Sequence, residues 1–204
     1  MTAARGGLTS ALYWSAFCYL RVNTFVGFVR DPRADLRDPA AHPDASFEVW
    51  TADDMRRWRA DHRDAPTQCF RDTVDGVSTA MIARIDGELA AFIWLYREGN
   101  FSRMFRIGPT DAELNHGIVL PEYRSRRLFA PLLSHACAWL ATQGGRRVYA
   151  VVHTDNGPSL RSFRAAGFAE FARQTHLFAW RPKFKEPDPR VLAATAAPPV
   201  TARK

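Results

Sequence analysis

At 204 residues with 47% hydrophobic content, the chain is long enough for one domain with a sizeable core. Its formal charge of +7 is carried almost wholly by arginine, Lys183, Lys185 and Lys204 being the only lysines, and favours anionic partners such as nucleotide phosphates or an acidic carrier protein. The aromatics do not interleave with basic residues along a strand, so nucleic acid is not expected, and Cys18, Cys69 and Cys137 without CxxC spacing exclude a disulfide framework or a thiolate metal site, which fits a reducing, cytoplasmic setting.

In chain order, Leu8 to Tyr19 reads as a short helix with Tyr13 and Phe17 on one stripe. Arg21 interrupts the apolar stretch before the about 20 residues a span needs, so the segment is read as a helix packed on the domain, with an interfacial membrane anchor as the alternative. Val22 to Val29 is rich in β-formers and reads as an extra strand. Residues 30–45, rich in Pro, Asp and Ala, read as a surface linker. Phe47 to Trp50 is a short strand, and Thr51-Ala52-Asp53-Asp54 resembles a capping box that opens a helix through Asp61. A second helix covers Thr67 to Val74. Ser78 to Ile85 and Glu88 to Tyr96, joined by Asp86-Gly87, form the clearest hairpin, because Asp-Gly supplies the positive φ values of a tight turn. Phe101 to Ile107 is a further strand or a loop crossing the cleft.

The second half repeats one unit: strand Ala112 to Leu120 and helix Arg126 to Thr142, then strand Arg147 to Val152 and helix Pro158 to Ala166. A last strand covers Ala169 to Trp180. The tail over 182–204, with Pro187, Pro189, Pro198 and Pro199 among alanines, reads as disordered. The domain plan is therefore an N-terminal helix, strand and linker over 1–45, one domain over 46–181, and the tail. The fold class is α/β (α+β), a mixed central sheet with helices on both faces.

A strand running straight into a helix N-terminus aims several free N–H groups at the turn between them, a cradle for pyrophosphate. The turn after Pro121 also carries Arg124, Arg126 and Arg127. Along the preceding strand, period-2 alternation places Glu113, Asn115, Gly117 and Val119 on one face and Leu114, His116, Ile118 and Leu120 on the other.

The element order, the motif Val119-Leu120-Pro121-Glu122-Tyr123-Arg124, and the later Asn156 with Gly167-Phe168 resemble the GNAT acyltransferase superfamily over residues 47–180. The resemblance implies acyl transfer from acetyl-CoA to a primary amine, on a small molecule or a peptide, with no covalent enzyme intermediate and no metal. It implies that Ile118, Val119 and Leu120 offer main-chain groups to the pantetheine arm, and that Arg124, Ser125, Arg126, Arg127, Leu128 and Phe129 form the pyrophosphate turn. Asn156 then holds the pantetheine, although an asparagine there also caps the helix that follows. The chain departs from the family at the turn's two glycine positions, here Arg127 and Phe129. Either the phosphates sit farther out or the Arg127 guanidinium replaces some N–H bonds. It departs again at Phe163, where the family has a tyrosine that protonates the departing thiolate. Ser159, Ser162 or a water is left to do so. Glu113 is the first choice for the base that deprotonates the amine, with His116 and His153 as alternatives.

Two other functions are open on the sequence. The missing tyrosine and glycines suit a non-catalytic GNAT-like binding module. The basic charge and apolar N-terminal helix suit an enzyme taking long acyl chains from a carrier protein. Only one strand follows Gly167-Phe168, where the family has two, so the sheet is completed by Val22 to Val29, by a second subunit, or not at all.

Overall fold

The computed structural model describes residues 22–34, 42–100, 104–177, 184–185, 187–188 and 190–191. The helix expected over 8–19 lies outside these. Strand β1 (Val22–Arg30) is followed by β2 (Ser46–Thr51), α1 (Ala52–Asp61), a 3-10 turn (Thr67–Phe70) and α2 (Arg71–Asp75). The hairpin β3 (Thr79–Ile85) and β4 (Glu88–Tyr96) leads to β5 (Asp111–Val119). A 3-10 turn (Pro121–Tyr123), α3 (Phe129–Thr142), β6 (Arg147–His153), α4 (Gly157–Ala165) and β7 (Ala169–Leu177) complete it.

The local chemistry acts as the sequence requires. Asp86 and Gly87 take φ values of 51° and 82°, the left-handed pair of a tight hairpin turn. The capping box closes from both sides, Asp54 N–H donating to Thr51 Oγ1 at 3.2 Å and Thr51 N–H to Asp54 Oδ2 at 2.8 Å. The helix expected over 67–74 divides instead into the 3-10 turn and the short α2, and Cys69 is buried at their junction.

All seven strands form one sheet in the order β2-β3-β4-β5-β6-β1-β7. One face carries α3 and α4 over Leu114, Val148, Ala150 and Phe28, and the other carries α1, the 3-10 turn and α2 over Phe92, Trp94 and Tyr96. Such a mixed sheet with helices on both faces is the expected fold class.

The position of β1 answers the question left by the strand count. It is neither an appendage nor an edge: it inserts between β6 and β7, antiparallel to both, and leaves β7 outermost. Val26, Phe28 and Val29 are fully buried there, so β1 contributes to the core of the sheet. Arg30, at the end of β1, donates to the Ala166 carbonyl at the C-terminus of α4, where a cation complements the helix dipole. Gly27 suits this slot, where a Cβ would stand 3.0 Å from the rings of both Phe171 and Phe184. The tail is likewise not all loose: Phe184 is buried against Phe105 and Phe171, and its N–H donates to the Met104 carbonyl. A large ring with an apolar pocket in reach buries itself whatever the composition around it.

Candidate active site

The parallel pairing of β5 with β6 runs only from Asp111↔Arg147 to Leu114↔Ala150. Beyond it the strands part, because β5 takes up one extra residue. Its register with β4 shifts between Trp94↔Asn115 and Phe92↔Ile118, and His116 at the shift adopts a left-handed φ of 53°. The bulge breaks the period-2 alternation expected of this strand. Leu114 and Val119 both pack with the α3 face, while Ile118 packs with the α1 face.

The bulge also decides which main-chain groups face the opening. Leu120 N–H donates to Ala90 O at 2.9 Å, and Ala91 pairs with Val119. In an antiparallel ladder that register turns Leu120 and Ile118 N–H toward β4 and turns Val119 N–H away from it, into the split. Of Ile118, Val119 and Leu120, therefore, Val119 presents its N–H to the gap, whereas the N–H groups of the other two belong to the sheet.

A cavity of about 830 Å³ fills the split. Its walls are Gly117 to Val119, the turn through Arg124, Ser125, Arg127 and Leu128, the start of α3, and the first turns of α4 at Asn156, Pro158 and Ser159. Two helix N-termini thus converge on one space, and both favour negative charge. Among the described residues no main-chain carbonyl accepts from Ser125, Arg127 or Leu128 N–H. Ser125 and Arg127 hold φ values of 77° and 56°, so the turn keeps a conformation suited to glycine without the glycines. Arg124 and Arg127 line the cavity, and Arg161, which the sequence reading missed, joins them. The signal for Arg161 was its spacing: four residues after Gly157, it lies one turn along α4 and curls back over the helix start. Arg126 does not line the cavity; its carbonyl bonds His42 Nε2 at 2.8 Å.

A second cavity of about 180 Å³ lies deeper, against Leu114 to Gly117 and the end of β6. Gly117, Phe129, Asn156 and Ser159 line both spaces and mark their junction. Phe129 does not block the turn. Its ring lies on Gly117, where a Cβ would come within 2.6 Å of Phe129 Cζ, so the two residues depend on each other. Phe163 lines the deeper cavity as a core ring, stacked on Phe28 at 5.5 Å and edge-on to Phe129.

The polar candidates separate clearly. Glu113 is fully buried, lines neither cavity, and accepts from Asn115 Nδ2 at 2.9 Å, so its carboxylate cannot meet an amine directly. His153 lines the deeper cavity with both ring nitrogens engaged. Asp155 N–H donates to Nδ1 at 3.1 Å, which leaves the proton on Nε2 for Asn23 Oδ1 at 3.0 Å. His116 also lines this cavity, and its Nε2 stands 3.9 Å from Asp75 Oδ2. Asn156 caps α4 through Ser159 N–H at 3.2 Å. Ser162 Oγ donates to the Pro158 carbonyl, whereas Ser159 lies at the junction of the cavities. Burial pushes the Cys69 and Cys137 thiols up to about 12 and about 11, too high for a nucleophile at neutral pH. The described residues contain no cluster able to hold a metal ion, and none of their helices is long and apolar enough to cross a membrane.

A model of the Acetyltransferase (GNAT) family matches residues 41–168. The chain is also similar to a mycothiol acetyltransferase from Clavibacter sepedonicus, 28% identical over 159 residues that make up 71% of this chain and 49% of that protein. It therefore spans about half the length of that curated relative. Among solved structures, it resembles a GNAT-family protein from Novosphingobium aromaticivorans (TM-score 0.50, 21% identity, covering 76% of this chain and 63% of that one). It also resembles a fungal GCN5-related glucosamine N-acetyltransferase region of a multi-domain GH3 β-N-acetylglucosaminidase (TM-score 0.56, 14% identity, 86% and 23%). At these identities the structural likeness concerns the fold.

Proposed function

Because the chain belongs to the GNAT acetyltransferase family, its match covering residues 41–168, we propose that it transfers an acetyl group from acetyl-CoA to a primary amine by direct attack on the thioester. The observation that carries this reading is the 830 Å³ cavity in the split sheet, where Val119 N–H, two helix N-termini and Arg124, Arg127 and Arg161 converge without an acidic lining residue.

CoA lies with its pyrophosphate on the turn from Arg124 to Ala130, bound by main-chain N–H groups and arginine forks. The pantetheine runs beside β5 toward the junction at Asn156. The acetyl carbonyl oxygen then faces Val119 N–H, which stabilises the charge that grows on it. The amine nitrogen bonds to the carbonyl carbon and gives up a proton to His116. The C–S bond breaks, and the thiolate takes a proton from Ser159 or a water beside it. Phe163 has no proton to donate, a loss that lowers the rate on the order of 10²-fold relative to a well-placed acid. The deeper cavity of about 180 Å³ favours a short acyl group over the long chains of a carrier-protein donor.

The test is release of CoA thiol from acetyl-CoA in the presence of a pool of small amines and peptides, with product masses read in parallel. Mass gains of one acetyl group support the reading. Acetyl-CoA that binds without transfer to any amine points to a binding module instead, and transfer only from a carrier-linked acyl chain points to the other alternative.

A further inference from the structure

At the bulge, His116 looks away from the CoA turn toward a cluster built from three elements. Asp75 at the end of α2 is buried, and its Oδ2 accepts from Tyr96 Oη at 2.5 Å and from Arg71 Nε at 2.7 Å. The other oxygen, Oδ1, is buried with no hydrogen-bond partner among the described residues. A buried carboxylate oxygen left unmatched is costly, and such an atom calls for an occupant. His116 Nε2 stands 3.9 Å from Oδ2, the oxygen that Tyr96 and Arg71 share, and the His116 and Tyr96 ring centres are 6.1 Å apart. His116 also lines the deeper cavity, so its ring reaches from Asp75 to the place where the proposed reaction occurs.

We propose that Asp75 is the positioning residue for His116: its carboxylate faces Nε2, orients the ring and stabilises the imidazolium formed when the other ring nitrogen takes the proton of the attacking amine. This inference rests on the acetyl-transfer reading. Tyr96 moderates the effect. Burial first, and then Asp75, hold its phenol above its ordinary value, so it remains a donor and keeps part of the carboxylate's charge occupied. Arg71 pairs with the carboxylate from α2 at 2.6 Å. Among the described residues, Glu113, on its own strand and bonded to Asn115, and His153, which lines the same cavity from β6, are further ionisable groups on the elements around His116.

The test is titration of the His116 ring by NMR in the full chain. A carboxylate at this distance favours the charged ring, so Asp75→Asn lowers the His116 midpoint by about one pH unit. Tyr96→Phe does the opposite, because it releases the carboxylate to interact more strongly with the ring. The acidic limb of kcat/KM moves with each midpoint, a response that a purely structural carboxylate would not give. An unchanged midpoint in folded Asp75→Asn, or a shift of the same sign in both variants, overturns the proposal. Should Asp75→Asn fail to fold, Tyr96→Phe decides alone: a raised midpoint supports the proposal, and an unchanged or lowered one overturns it. Midpoints that shift as stated in a protein without transfer activity would sink the acetyl-transfer reading and leave the Asp75–His116 pair standing.

Discussion

Asn23 Oδ1 accepts the Nε2 proton of His153 at 3.0 Å, and this bond joins a strand from the start of the chain to the wall of the deeper cavity. The contact exists because β1 lies beside β6, with Phe25 opposite His153 in register. A strand from one end of the chain thus stiffens a wall built by the other half. Since both nitrogens of His153 are engaged, its role is architectural.

Asn23→Ala should therefore lower unfolding stability by about 1 kcal/mol, the net worth of one such bond. Transfer should fall less than it does in His116→Ala. Chemical denaturation and steady-state rates on the same preparations check both.

The Arg127 position gives an opposed pair of effects. A non-glycine residue in the left-handed region carries a strain of about 1–2 kcal/mol. Arg127→Gly should relieve much of it and raise the melting temperature, while CoA affinity falls about tenfold through loss of a charge-assisted contact. Calorimetric titration of CoA at low and high salt checks the second part. An unchanged affinity would mean that the turn's N–H groups hold the phosphates unaided.

Gly117 and Phe129 should behave as a coupled pair. Gly117→Ala forces the Phe129 ring aside, with an overpacking cost of about 1–3 kcal/mol. Adding Phe129→Leu should recover most of that loss. If the two changes simply add in a double-mutant cycle, the ring is not held where it is drawn here.

Low pH should loosen the packing of α1 on the 3-10 turn and α2. Burial pushes the Asp72 carboxyl up, but hydrogen bonds and charge from Arg59, the Thr73 N–H and Arg56 outweigh it and leave the group below the usual carboxylate range. A carboxyl depressed in the folded state contributes stability above its unfolded value, about pH 4, and loses it as pH falls through the folded value. Arg59 also donates to the Cys69 carbonyl and so ties α1 to the 3-10 turn. Asp72→Asn should cost about 3–5 kcal/mol at neutral pH, because it leaves Arg59 buried without its partner. It should also flatten the acid limb of the stability curve, which denaturation at a series of pH values measures.

Much of this was legible in the chain. Asp86-Gly87, the Thr51–Asp54 box and the cap at Asn156 are signals within a few residues, and local geometry obeyed them. The turn after Pro121 was equally readable, since a strand, a proline and an apolar helix in succession leave little freedom. What escaped depended on distant partners. Nothing near His116 announces a bulge, because the extra residue is defined only against β4. The slot for β1 is a property of β6 and β7, more than a hundred residues away. Glu113 looked accessible on a regular strand and proved to be fully buried, paired in the sheet with Tyr96 on one side and Tyr149 on the other. Phe184 looked like tail until the space beside Gly27 was known.

The most direct test of the central claim is a map of backbone amide shifts as acetyl-CoA is added. The account predicts that the largest changes fall on Gly117 and Val119, on Ser125 to Ala130, and on Asn156 and Ser159, with saturation and a weaker response in Asn156→Ser and Arg124→Ala. Saturable binding that leaves these amides unmoved, or no binding at all, would contradict it.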